Sequence, residues 1–305
     1  MQIKTMFQIL KLRDWINPKK LNFVGLSANT NAIELLKQNI SEIQWDCLSL
    51  NINAIELLKQ NYNKINWYEL SCNINAIEIL KDNQENIDWD YLSENENAID
   101  ILQQNIDKIN WAFLSKNKNK KAIEMLKNNK EKICWDWLSS SPNAMELLEE
   151  NQHLINWNLL SKNPNAIQLL KKNQDKINWY YLSLNQNAIN FLKENKDKIY
   201  WPFLSLNPNA MEILIENQNN IDWENLSLNP NAIEILKENQ HKIDWVSFSK
   251  NPNIFTYDYI KMKENMKNSK IAEELMAHIF HPKNMEKWKD WGFTEHHDFL
   301  NFIDN

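Results

Sequence analysis

The chain has 305 residues, a net charge of −6 and only two glycines, Gly25 and Gly292. Phosphate-cradling G-x-x-x-x-G-K and G-x-G-x-x-G loops need several glycines close together and are excluded, and a hairpin-rich β fold normally wants more glycine at its turns. The acidic balance offers no single-sign basic field of the kind a phosphate backbone demands, and no apolar run approaches the ~20 residues that span a bilayer.

The N-terminal stretch MQIKTMFQILKLRDW has no long apolar segment and no small-residue cleavage site, so no signal peptide is expected. Residues 1–20 are expected to form an N-terminal cap helix with Phe7, Leu10, Leu12 and Trp15 on its apolar side. Cys47, Cys72 and Cys134 are odd in number and unrelated in spacing, which predicts reduced intracellular thiols rather than a disulfide frame or a zinc site.

Residues 21–256 are built on one repeating pattern. Tryptophan recurs at Trp45, Trp67, Trp89, Trp111, Trp135, Trp157, Trp179, Trp201, Trp223 and Trp245, in steps of 22 except for a step of 24 from Trp111 to Trp135. One step back from Trp45 lies Phe23, within a copy of the Ile-Asn-Trp tripeptide, giving ten full repeats and a partial eleventh. Counting the Trp or Phe as position one, a repeat reads W-x-x-L-S-x-N-x-N-A-I-x-x-L-K-x-N-x-x-K-I-[ND]. Self-similarity at a fixed period of this size is the mark of a solenoid.

Each repeat divides into two predicted helices. Asn or Asp before the Trp (Asn66, Asp88, Asn110) can cap a helix start, and Trp and Leu then recur at i and i+3 on one face. The N-x-N that follows breaks this short helix, with Pro in the middle position at Pro142 (where Ser141 precedes it), Pro164, Pro208, Pro230 and Pro252. A second helix is predicted from the second Asn, which Glu three residues later completes as a capping box in Asn53–Glu56 and Asn231–Glu234. Its Ala, Ile and Leu form a wide apolar stripe. Acids (Glu34, Glu56, Glu78) and lysines (Lys37, Lys59, Lys81) occupy the opposite face. It is expected to end at an Asn such as Asn61 or Asn173 in the left-handed conformation. The two extra residues within Asn117–Ala122 are expected to bulge from the turn without kinking the stack.

The N-P-N-x-x-x-x-x-L pattern resembles the leucine-rich repeat variant architecture. Ile-Asp-Trp-x-x-Leu-Ser-x-Asn-Pro-Asn-Ala-Ile is similar more specifically to the Trp/Asn-rich repeat proteins of giant DNA viruses of the mimivirus kind. Leu12-Arg13-Asp14-Trp15-Ile16 and His281-Pro282-Lys283…Trp291-Gly292-Phe293 resemble the caps of those proteins. The resemblance covers nearly the whole chain and implies a solenoid and a viral source, with the host cytoplasm, the viral factory or the virion as location. It implies no catalytic residue. The 50 asparagines and abundant Ile and Lys fit an A/T-rich genome.

The expected fold is therefore all-α: an α-solenoid of eleven ~22-residue two-helix repeats (21–256) with helical caps at residues 1–20 and 257–305. The C-terminal cap includes an amphipathic helix at Ile271–Phe280.

Candidate chemistry is sparse. Serine stands at position five of every repeat, and an eleven-fold ladder supplies no unique base or orienting partner, so these serines and the position-seven asparagines read as turn hydrogen-bonders. His278, His281, His296 and His297 show no metal-site spacing. No enzyme, cofactor or metal is expected.

Function is expected where repeats differ. Position three carries Gly25, Cys47, Glu69, Tyr91, Phe113, Trp137, Leu159, Tyr181, Phe203, Asn225 and Ser247. The aromatics Tyr91, Phe113, Trp137, Tyr181 and Phe203 are expected to line one continuous surface in the middle repeats, either as packing between repeats or as the partner site. The reading is a monomeric, non-enzymatic scaffold that binds another protein along one solenoid face. The alternatives are a helical-repeat binder of single-stranded RNA and a structural virion component.

Overall fold

The computed structural model describes residues 9–268, with side chains described to residue 265. Two compact units are present: Leu12–Phe255, which holds all the repeats, and a smaller one of which residues 9–11 and 256–268 are described.

The first ten repeats are all-helical. In the third, the first helix runs Trp67–Cys72 and the second Ile77–Asp82, and a 3₁₀ turn at Gln84–Asn86 leads on to the fourth. That turn is a third element beyond the two expected. Where Asn or Asp precedes the Trp the cap forms as the sequence predicts: Asn66 Oδ1 accepts from the Glu69 N–H, and Asp88 Oδ1 from those of Asp90 and Tyr91; Gln44, Cys134 and Tyr200 at the same position make no such bond. Leu70, Ala76 and Leu80 are fully buried, and their counterparts, Phe248 replacing Leu in the eleventh repeat, make a continuous core between the two helix layers.

Both capping expectations for the second helix need correction. The helix starts two residues late, at Ile77, and Ala76 before it makes no side-chain cap bond. The Asx turn belongs instead to the first asparagine: Asn73 Oδ1 accepts from Asn75 N–H at 3.0 Å. The second asparagine faces the preceding repeat, where Asn75 Nδ2 donates to the Ile52 carbonyl. At the far end, Asn83 has φ −138°, which is not left-handed. Its own amide caps the helix by donating to the Ile79 carbonyl four residues back, so no positive φ is needed.

Consecutive repeats are joined by one recurring set of bonds. Between the first and second repeats, Ser27 Oγ donates to the Phe23 carbonyl and accepts from Gln44 N–H. Asn51 Nδ2 donates to the carbonyls of Ser27 and Asn29, at 3.0 and 2.9 Å. Asn53 Nδ2 reaches the Thr30 carbonyl.

The same set joins the last repeat to the first. Ser249 Oγ donates to the Trp245 carbonyl and accepts from Asn22 N–H. Asn29 Nδ2 donates to Ser249 and Asn251, and Asn31 Nδ2 to Pro252. The first helices Phe23–Ala28 and Trp245–Lys250 pack together as neighbours do elsewhere. The solenoid is therefore closed: the repeats form a ring with no terminal repeat.

Closure rests on a composite eleventh repeat. Its first half is Trp245–Ile254. Its last part is N-terminal: the 3₁₀ turn Pro18–Lys20 with Asn17 as cap stands where Tyr62–Lys64 with Asn61 stands in the second repeat. Lys20 Nζ lies 4.8 Å from the Trp245 ring centre, as Lys108 lies 4.5 Å from Trp89. Trp15 packs on Phe248, and Arg13 N–H and Nε donate to the carbonyls of Ile254 and Asn253.

The expected N-terminal cap helix is thus corrected over its described part. Leu10–Leu12 is a strand, paired with Phe255–Tyr257, and Arg13–Asn22 completes a repeat instead of covering an end. The compact unit that holds the repeats runs Leu12–Phe255. Tyr259–Asn268 is helical; Phe7, Ile271–Phe280 and the four candidate histidines lie outside the described residues.

First helices touch the first helices of neighbouring repeats, whereas the second helices make no comparably close contact with one another. In a closed ring the closer spacing belongs to the smaller radius, so the first helices form the inner wall. Eleven helix spacings of ~9 Å give an axis circle of radius ~16 Å, and removing ~5 Å for the helix half-width leaves an opening about 20 Å across.

One junction departs from the pattern. The two extra residues, Lys120 and Lys121, do not bulge; they extend the second helix to Lys120–Lys127, capped by Asn119. The stack is kept, with Asn117 and Asn119 bonded to the fourth repeat as usual. In the sixth repeat, however, position seven is Ser141. Its buried Oγ has no partner, and the two bonds that an asparagine would send to Ser115 and Asn117 are missing. Lys127 and Glu146 bridge the same junction at 2.5 Å. Their hydrogen bond, then their mutual charge, holds the Glu146 carboxyl below and the Lys127 amine above their usual ranges.

Two outcomes follow from this geometry. Gly→Ala inside a helix ordinarily stabilises by ~0.5–1 kcal/mol. At Gly25 a Cβ would lie 2.7 Å from Ser249 Cβ and 2.9 Å from the Val246 carbonyl oxygen. Gly25→Ala is expected to destabilise in chemical denaturation; stabilisation would show that the seam is open. Ser141→Asn restores two hydrogen bonds to buried carbonyls and is expected to add about 1–2 kcal/mol to unfolding stability. A loss there would mean that the site cannot hold the amide.

Candidate functional site

With the position-four Leu and position-five Ser buried, positions two and six of each first helix point away from the core, across the inner wall. Position three is turned toward the preceding repeat. Exposure follows this geometry: Val24, Tyr68, Tyr180 and Val246 at position two are exposed, as is Leu50 at position six. The five predicted aromatics, Tyr91, Phe113, Trp137, Tyr181 and Phe203, are all half-buried. Each packs toward the neighbouring repeat and leaves an edge at the surface, so the row is at once inter-repeat packing and accessible surface.

The row is in two clusters rather than one. Tyr68, Tyr91, Phe113 and Trp137 stack in series, with ring centres 4.0, 5.5 and 5.1 Å apart and mostly edge-to-face. Leu159 then takes the place of a ring. Beyond it, Tyr181 and Phe203 lie 6.4 Å apart, joined by Tyr180 and Tyr200. Tyr68, Tyr180 and Tyr200, outside position three, were missed by a single-position reading. They are visible as tyrosines one residue before, or three before, the aromatic of their own or the next repeat, which helical packing brings together.

The first cluster carries charge. Lys116 Nζ stands 4.0 Å from the Trp137 ring centre, 4.6 Å from that of Phe113, and 3.3 Å from Glu94 Oε2. Tyr68 donates to Tyr91 Oη, and this bond, with burial second, pushes the Tyr91 phenol up to about 12. Burial, reinforced by Glu94, Glu69 and Asp88, pushes the Cys72 thiol up to about 12 as well, so this cysteine is protonated at neutral pH.

Two shallow grooves open beside the cluster. The larger, about 570 Å³, is lined by Glu94, Lys116, Lys118, Trp137, Leu159 and Lys162, among others. The smaller, about 380 Å³, shares Glu94, Lys116 and Lys118 and adds Cys72 and Tyr91. Together they run from the third repeat to the seventh along the position-six residues and the turns.

The position-five serines are fully buried, with their hydroxyls committed to backbone as expected. Among the described residues no three His, Cys, Asp or Glu side chains are placed to hold a metal ion, and no helix is long and apolar enough to cross a membrane. The Leu12–Phe255 unit is thus a closed ring of Trp/Asn repeats with aromatic clusters on the inner wall of its middle repeats. No family model, curated protein or solved structure matches the chain.

Proposed function

We infer that the protein is a non-enzymatic scaffold that binds another protein on the inner wall of its ring. The observation carrying this reading is the Tyr68–Tyr91–Phe113–Trp137 series. These large rings keep an accessible edge, are pre-ordered by stacking, and border a groove. Rings already held in place lose little rotamer freedom on binding, and aromatics with a polar edge dominate protein–protein hot spots. The repeat wording adds a viral origin to the proposal, with a role in the infected cell or the particle.

Nucleic-acid binding is the weaker reading. Asp46, Asp90, Asp136 and Glu224 at position two put negative charge around the inner wall, against a continuous polyanion.

The test is affinity capture from infected cells, quantified by mass spectrometry, with wild type and Trp137→Ala side by side. The account predicts a protein held by wild type and lost from the variant. The variant's melting temperature should fall by only about 2–6 °C, because Trp137 is half-buried. Equal capture by both, or retention of wild type on heparin with co-purifying nucleic acid, contradicts it.

A further inference from the structure

The variable positions beside the aromatic cluster carry charge in a restricted place. At position six, basic residues occur only at Lys116, Lys162 and Lys250; in the turn at position eight, only Lys118 is charged positive. Three of these four line the larger groove, on a chain whose net charge is −6. Lys116 is engaged by Glu94 and the two rings. Lys118 and Lys162 are exposed and have no ion-pair partner among the described residues. Between them the floor is apolar, from Trp137, Leu159, Pro142 and Pro164.

We propose that this groove binds an extended acidic segment of a partner protein. Its carboxylates would pair with Lys118 and Lys162, and an apolar side chain between them would rest on Trp137. The proposal rests on the scaffold reading above and names its partner's chemistry. Lys118 and Lys162 belong to the fifth and seventh repeats, two helix spacings or ~20 Å apart. An extended chain advances ~3.3 Å per residue, so acids about six residues apart, with an aliphatic residue midway, match the groove. Glu94 at its fourth-repeat end, with Glu96 in the smaller groove beyond, disfavours further acids there. The acidic residues at position two confine the favourable field to this groove, which suits a short acidic segment and not a phosphate chain that must pass along the wall.

The probe is a fluorescein-labelled peptide with a Glu pair at each end and a central Leu, titrated into the full chain and read by fluorescence polarisation. A Lys-for-Glu version of the peptide and a labelled oligothymidylate serve as comparisons. The acidic peptide is expected to bind, and Lys118→Glu/Lys162→Glu to weaken it about tenfold or more with unchanged circular dichroism and melting temperature. Undiminished affinity in that variant overturns the proposal, as does absence of acidic-peptide binding or tighter binding of the basic peptide or the oligonucleotide. If the acidic peptide fails while Trp137→Ala still loses its captured protein, the acidic partner is rejected and the scaffold reading stands.

Discussion

One buried amide governs how each repeat meets the next. The position-seven asparagine sends both amide hydrogens to carbonyls of the preceding repeat and accepts its own turn's N–H with its oxygen, as Asn51 and Asn73 do. It is almost fully buried in every repeat that has it, so a lost partner costs the desolvation of a polar group, ~1–3 kcal/mol. Aspartate has no hydrogens to give, and glutamine adds a methylene to a filled space. The position-five serine complements it, tying its own helix to the residue that precedes the next repeat's Trp. Because the same bonds recur at every junction but the fifth-to-sixth, the junctions contribute nearly the same turn, and the repeated turns return the chain to its start.

Closure changes the energetics expected of a solenoid. In an open stack the terminal repeats have one neighbour each and require caps. Here the composite eleventh repeat, assembled from both ends of the chain, gives every repeat two neighbours. The position-three residue of the first repeat must then sit against the eleventh, and only glycine fits there. The fifth-to-sixth junction is the exception, with Ser141 in place of the asparagine, and it borders the groove at Ser140 and Pro142.

The repeat, its helices, the Asn and Asp caps before most of the tryptophans and the structural role of the serines and asparagines were legible in the sequence, because each is a local pattern copied many times. Ring closure was not. It depends on the sum of small rotations, which no single repeat expresses, although Lys20-Leu21-Asn22 before Phe23 matches the end of a repeat and Gly25 is the one position-three residue without a side chain. The second-helix caps were misread because an asparagine's choice between its own turn and the neighbouring repeat is decided by tertiary contact. The aromatic row was legible as a row, but not its break at Leu159 or its recruitment of Tyr68, Tyr180 and Tyr200 from other positions.

The central claim is that the first and last repeats are neighbours. Spin labels at Ala28 and Lys250, both exposed and at equivalent positions of the first and eleventh repeats, test it directly once Cys47, Cys72 and Cys134 are replaced. Double electron–electron resonance should give a narrow distribution centred within about 20–25 Å, one helix spacing plus the reach of the labels. An open stack places the same labels about ten helix spacings apart, ~90 Å, and a distribution at or beyond the long limit of the method would contradict the ring.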